Sequence, residues 1–451
     1  MTIRFTKSWN GYYEGQIVSN PAGGNTEAQL IALGYAVSDL DGPDNSFELA
    51  KFATDTSGNV TGLVGPGGSK IPLGKTYTGL IASRCNIPSS LGAGNAQTMA
   101  RTRHVAMDTI TALQVVYGNW YVKSDFTEAG TGATATVECT IEYPAGTYTR
   151  VTFSGANVGS VASAANIVSD STAVSIPIGA TFWVRTYWVC SAGMPYTIGN
   201  NINNTTGTGS PSGEFFAFGA SVPNTVLGGS ISNTSATTYF RPQAIIGSTK
   251  KLSWWLAGDS RLGQGATTVD SASDVFGLVG ELERLLGKDY ACLNAGRNGE
   301  TLRNATTNYT LRSSIAAYCS NIACEYGIND FEASRSAATV LIDAVTFRNL
   351  FSGKPFWQST VSPASTSTDS FATTVNQTTK ASNTARVAYN ALVRFGSAPF
   401  DGYFEVADSV ESSRDSGLWK APSYTTDGLH GLQYAMLALQ SSARAPTLNP
   451  C

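Results

Sequence analysis

Histidine is scarce in this chain: there are 2 in 451 residues, His104 and His430. Chemistry that needs an imidazole base therefore has two candidates, and a centre built on several histidines is excluded. The 7 cysteines, at 85, 139, 190, 292, 319, 324 and 451, are odd in number and form no C-x-x-C pair, so neither a zinc site nor a disulfide framework is expected. They read as small buried hydrophobes, with Cys451 the exposed thiol. Charged residues make up 14% of the chain, against about a quarter in an ordinary soluble protein. A net charge of −3 offers no basic face, so nucleic acid is not an expected partner. No uncharged apolar run approaches the roughly 20 residues of a membrane span, so no membrane insertion is expected. The first residues, Met1-Thr2-Ile3-Arg4-Phe5-Thr6-Lys7, lack the apolar core of a signal peptide.

What is present points to a multidomain, β-rich protein. Hydrophobic residues reach 42%, enough for packed cores, and the length implies two or three domains. Residues 1–75 are expected to form a small amino-terminal module. It carries an aromatic cluster (Phe5, Trp9, Tyr12, Tyr13), a helix from Asn25 to Gly34, and a glycine-rich tract from Gly62 to Gly74 that reads as a linker or set of tight turns. Residues 76–249 are expected to form a second, β-rich domain, in which the pattern has period two from about 76 to 195. Val137, Cys139, Ile141 and Tyr143 interleave with Thr136, Glu138, Thr140 and Glu142. A turn at Pro144-Ala145-Gly146 follows, a return strand runs from Tyr148 to Phe153, and another strand spans Ala180 to Val189. An antiparallel sandwich or jelly roll is expected, with an exposed loop at 198–213 and a polar stretch continuing to about 249. On the 180–189 strand, Trp183 and Tyr187 share one face and Trp188 takes the other. They are core residues or, if one is exposed, a platform for carbohydrate.

From 250 to 451 the period changes to alternating strands and helices. Strands are expected at Leu252–Ala257, Tyr290–Asn294, Asn321–Tyr326, Pro355–Val361 and Gly402–Val406. Helices are expected near Ser273–Leu286, Ala337–Phe351 and Asn383–Phe395, stopped by Gly287, Gly353 and Gly396. Five strands separated by helices imply a doubly wound parallel sheet with its site at the carboxyl ends of the strands. The chemistry-bearing residues fall there. Gly258-Asp259-Ser260 ends the first strand. Asn294-Ala295-Gly296-Arg297-Asn298-Gly299 ends the second, and Gly327-Ile328-Asn329-Asp330 the third. Asp427-Gly428-Leu429-His430 lies in the last loop. A serine nucleophile needs a base, and the base needs a carboxylate to set its tautomer. Each segment alone is ordinary turn or capping chemistry.

Together, and in this order, the four segments resemble the SGNH (GDSL-type) hydrolase family over about residues 250–445. The resemblance implies a flavodoxin-like, five-stranded α/β domain and a serine esterase that requires no cofactor and no metal. It places the nucleophile on Ser260, the base on His430 and its orienting acid on Asp427. The oxyanion donors fall on the Ser260 and Gly299 backbone N–H groups and the Asn329 side chain, with Gly296 a competing glycine. Asp330 is a structural partner of neighbouring loops. Two departures stand out. Arg261 follows the serine where the family has an apolar residue, and would either pair with Asp259 or meet an anionic sugar. Gly431 replaces the usual proline after the histidine, which would loosen that loop. Ser362–Ser382 reads as a substrate rim or a disordered loop, and His104, in Arg101-Thr102-Arg103-His104, as structural.

The segment Phe5–Gly15, followed by Asn25–Gly34, resembles the start of some tailed-phage and prophage virion proteins. That likeness implies a homotrimer on the surface of a phage tail or capsid, partnered by phage structural proteins, with 1–75 as the attachment or oligomerisation module. The combined expectation is an esterase that removes O-acetyl or other short acyl groups from bacterial surface polysaccharide. The alternatives are a catalytically silent decoration or receptor-binding protein, and a general lipolytic esterase.

Overall fold

The computed structural model describes residues 76–198, 213–232, 238–263, 280–396 and 398–441, together with short strands before residue 76. The chain divides into two compact units, Met1–Gly74 and Lys75–Cys451. In the first unit, Thr2–Phe5 pairs antiparallel with Ile17–Ser19 and Ala36–Ser38. Phe52–Thr54, Val60–Val64 and Lys70–Ile71 form a second antiparallel sheet, so the glycine-rich tract supplies strands where a linker or turns were expected. The expected helix at 25–34, most of the aromatic cluster, the body of the 198–213 loop and Cys451 lie outside the described residues.

Two antiparallel sheets follow. One has the strand order Tyr148–Val151, Ala135–Glu142, Thr181–Cys190, Gln97–Val105, Phe215–Gly219, with Gly159–Val161 also on Ala135–Glu142. The other has the order Asn166–Val168, Ile110–Gly118, Ala244–Thr249, Tyr77–Leu80, with Thr172–Ile176 also on Ile110–Gly118. The tract to 249 is therefore not simply polar surface, since Phe215–Gly219 and Ala244–Thr249 each complete a sheet. Period two explains the packing: Val137, Cys139 and Ile141 are buried while Thr136 is exposed. Glu142, on the outer face by that pattern, is nonetheless buried, because it accepts two bonds from Arg101, at 2.7 and 2.8 Å. Trp188 lies in the core, its ring 5.0 Å from Phe240, which stacks on Tyr117 at 6.0 Å. On the other face Trp183 is covered by the Arg101 guanidinium at 4.2 Å, and Tyr187 donates to Gln97.

The remaining chain builds a parallel sheet in the order Gly402–Phe404, Phe356–Ser359, Asn321–Cys324, Ser253–Ala257, Ala291–Asn294, Cys85–Asn86. It has six strands, not five. The extra one, Cys85–Asn86, comes from the stretch that sequence assigns to the sandwich, and pairs parallel with Leu293 and Asn294. Two residues carry no readable period, which is why the sequence pattern hides it. Trp254 and Trp255 sit on opposite faces of the central strand and both are buried. Trp255 packs edge-on against Tyr309, and Trp254 against Phe404 and Trp357. Burial on both faces is what a parallel sheet covered on each side requires. Helix Ala337–Asn349 starts where Ser336 Oγ accepts Thr339 N–H, and Glu281–Leu286 stops at Gly287. Asn383–Arg394 ends just before Gly396. The central strand and its two neighbours deliver the loops after Ala257, Asn294 and Cys324 side by side.

Candidate active site

Ser260 lies in the turn after the central strand and is 8% exposed. Its Oγ is 2.9 Å from His430 Nε2, and His430 Nδ1 is 2.6 Å from Asp427 Oδ2. The D-x-x-H spacing makes this local geometry self-consistent. Asp427 Oδ1 accepts the backbone N–H groups of Leu429 and His430, both at 2.8 Å, which leaves Oδ2 for the imidazole. A proton on Nδ1 then faces the carboxylate, and Nε2 keeps its lone pair for the serine. Partial burial alone would raise the Asp427 carboxyl. The His430 ring and the two N–H donors outweigh it and hold the group well below the usual carboxylate range.

The histidine loop is held rather than loose. Gly428 O accepts Ser365 N–H at 3.0 Å and Trp419 Nε1–H at 2.9 Å. Gly428 has φ 73°, and a Cβ there would run into Ser365 O, so only glycine serves. A bridge between Thr425 and Gly431 closes the loop despite the missing proline. Among the described residues, Arg261 makes no side-chain ion pair with Asp259. Its buried side chain donates to Leu429 O at 3.1 Å, Ser362 O at 2.7 Å and Pro363 O at 2.7 Å, tying the nucleophile turn to the histidine loop. Ser362–Ser382 is ordered around a hairpin, Ser365–Ser367 against Gln377–Thr379. His104 is buried in the sandwich between Thr102 Oγ1 and Ser83 O, each at 2.9 Å; burial pushes it down to about 3, which leaves it a neutral structural residue.

Three candidate donors lie in the loops that follow the central strand and its two neighbours. Among the described residues, the Ser260 and Gly299 N–H groups have no acceptor. Asn329 Nδ2 gives one hydrogen to Glu300 O at 3.0 Å and keeps the second. Gly296 N–H is already used by Asn294 Oδ1 at 3.0 Å, so of the two glycines only Gly299 keeps a free donor. Glu300 itself is buried, held by Arg312 at 2.7 and 2.9 Å and by the Tyr326 hydroxyl. Asp330 Oδ2 accepts Leu302 N–H at 2.8 Å and Oδ1 pairs with Arg335, a structural arrangement that binds the second motif loop to the third. Open N–H donors at adjacent strand ends are the groups that an oxyanion requires. Asn329→Ala is expected to cut kcat by roughly 10²–10³ with little change in KM, measured on an aryl ester.

Three buried carboxyls, Asp259, Glu281 and Glu325, gather near the Ser260 turn. Burial pushes Asp259 up to about 6, offset only in part by Arg261. Burial likewise raises Glu281, and Glu325 well above the usual range. Among the described residues, each keeps one oxygen without a hydrogen-bond donor. A carboxyl raised from 3.8 to about 6 on folding contributes stability that is complete below pH 3.8 and is lost as the pH rises through 6. Asp259→Asn, which preserves the bond from Arg261 N–H, should therefore flatten the fall of melting temperature between pH 4 and 7. A pH series of thermal melts on both proteins checks it, and an unchanged slope would contradict it.

No family model and no curated protein matches the chain. Among solved structures it is similar to GDSL-type and carbohydrate esterases. One is a GDSL-like lipase from Bacteroides thetaiotaomicron, at 13% identity and a TM-score of 0.30 over 42% of this chain and 84% of that one. A second is an acetyl xylan esterase from Geobacillus stearothermophilus, at 16% identity and a TM-score of 0.29 over 43% and 94%. A third is a carbohydrate acetylesterase from Sinorhizobium meliloti, at 17% identity and a TM-score of 0.29 over 42% and 95%.

Proposed function

We propose that the protein is a serine esterase of the SGNH type that removes short acyl groups from a saccharide. The observation that carries this is the chain Ser260 Oγ to His430 to Asp427, at 2.9 and 2.6 Å. Ser260 attacks the ester carbonyl while His430 Nε2 takes its proton. The tetrahedral oxyanion rests against Ser260 N–H, Gly299 N–H and Asn329 Nδ2. His430 returns the proton to the departing sugar oxygen. Water, deprotonated by the same imidazole, then releases the acid from Ser260.

Action on bacterial surface polysaccharide, from a homotrimer on a phage particle, is part of the same proposal and is supported by the amino-terminal resemblance. A p-nitrophenyl series of acetate, butyrate, octanoate and laurate tests the activity. The expected result is the highest kcat/KM on acetate and a steady fall thereafter. A maximum at laurate would favour the lipolytic alternative, and no turnover of any ester, or of acetylated glycans, would favour a silent attachment protein.

A further inference from the structure

One hairpin of the sandwich reaches the oxyanion loop. Trp120–Val122 pairs with Glu128–Gly130, and the tip closes through Phe126 N–H to Lys123 O at 3.0 Å and Lys123 N–H to Thr127 O at 2.9 Å. The hairpin is anchored on both flanks of the second motif loop. Lys123 O accepts Arg297 Nε–H at 3.2 Å. The Glu128 carboxylate accepts the Leu311 and Arg312 backbone N–H groups, at 2.5 and 3.0 Å, and pairs with Arg312 Nε at 3.0 Å. That same Arg312 grips Glu300, whose carbonyl holds Asn329.

Anchored this way, the tip sets Phe126 beside Gly299. The ring's Cζ lies 3.6 Å from where a Cβ would stand on Gly299, and the Arg297 guanidinium carbon is 6.0 Å from the ring centre. Phe126 is half-buried and takes φ 67°, a left-handed backbone that a bulky side chain rarely adopts. Asp125 maintains the turn by accepting Thr127 N–H at 3.0 Å and Thr127 Oγ1–H at 2.6 Å. Strain of this kind persists where the surroundings over-determine it, and it gathers at ligand clamps. The ring is not part of the hydrophobic core and lies half-buried beside Gly299.

We propose that this tip is the saccharide-side subsite: Phe126 stacks on the pyranose that carries the scissile ester, and Lys123, Asp125 and Arg297 form a polar rim for its hydroxyls. The proposal rests on the esterase reading above. Phe126 is the side chain that stands against Gly299, whose N–H is an assigned oxyanion donor, so the ring borders the loop that would hold the ester. An aromatic face bordered by charged groups suits a sugar, whose C–H face stacks while its hydroxyls hydrogen-bond. A fatty chain would call for an unbroken apolar wall. The sandwich would then be part of the catalytic cleft and not only a spacer.

The test compares kcat/KM on two probes, p-nitrophenyl acetate and β-D-glucose pentaacetate, for wild type, Phe126→Ala and Phe126→Tyr. Phe126→Ala should lower the ratio of sugar ester to aryl ester by about tenfold or more, the effect of one lost anchoring contact, and Phe126→Tyr should keep it. Phe126→Gly, which removes the ring while relieving the backbone, should show the same lowered ratio and guards against misfolding of the alanine variant. A ratio unchanged in both ring-deleted variants, or a wild type that cleaves the aryl ester but no sugar ester, would overturn the subsite alone. Absence of Ser260-dependent hydrolysis of either probe would instead bring down the esterase proposal, and the subsite with it.

Discussion

Ser260→Ala is expected to lower kcat on an aryl acetate by on the order of 10⁶, the loss seen when the nucleophile of a catalytic triad is removed. The structure makes this a clean substitution. The Ser260 hydroxyl has one hydrogen-bond partner among the described residues, His430 Nε2, and its removal leaves no buried group unpaired except at the cleft edge. The turn that carries it is held by backbone bonds, Leu262 N–H and Gly263 N–H to Asp259 O, and by the Arg261 clamp. Circular dichroism and melting temperature should therefore be preserved. Residual hydrolysis of roughly 10³–10⁴ over water is expected from the oxyanion donors alone, and Asn329→Ala placed on top of Ser260→Ala should remove part of it.

Asp427→Asn is expected to cost roughly 10⁴ in kcat, and the reason is orientation more than charge. Asp427 is 52% exposed, so solvent screens its carboxylate. Its Oδ1, however, is committed to the Leu429 and His430 N–H groups. An asparagine must keep its carbonyl oxygen there and turn its NH₂ toward His430 Nδ1. That forces the proton onto Nε2, facing Ser260, where a lone pair is needed. Asp427→Ala leaves the imidazole free to take either tautomer and should lose less than Asp427→Asn. Steady-state kinetics on the two variants separate the explanations: an alanine variant far weaker than the asparagine variant would mean that charge, not tautomer, dominates.

The parallel sheet and the approach of Ser260, His430 and Asp427 to one another were legible in the sequence for physical reasons. Strands buried on both faces read as continuous apolar runs, as in Ser253–Ala257, and glycine, asparagine and aspartate collect where those runs end. His430 had almost no competitor. Four features were not legible. The sixth strand, Cys85–Asn86, is too short to show a period. Arg261 is visible as an oddity, but its three carbonyl acceptors come from segments that are distant in sequence. Glu142 breaks its strand's pattern because of a partner, Arg101, 41 residues away. Glu128 meets Leu311 across a separation of 183 residues, and no local pattern announces such a contact. The hairpin tip at Phe126 carries one faint signal, Asp125 before a strained aromatic, which reads as an ordinary turn until Gly299 is seen beside it.

The central claim is that Ser260, activated by His430, is the nucleophile. Its most direct test is diisopropyl fluorophosphate labelling followed by peptide mass mapping. A single phosphoryl adduct is expected on the peptide bearing Ser260, formed in step with loss of esterase activity, absent in Ser260→Ala and strongly slowed in His430→Ala. An adduct on another serine, or full inactivation with Ser260 unmodified, would contradict it.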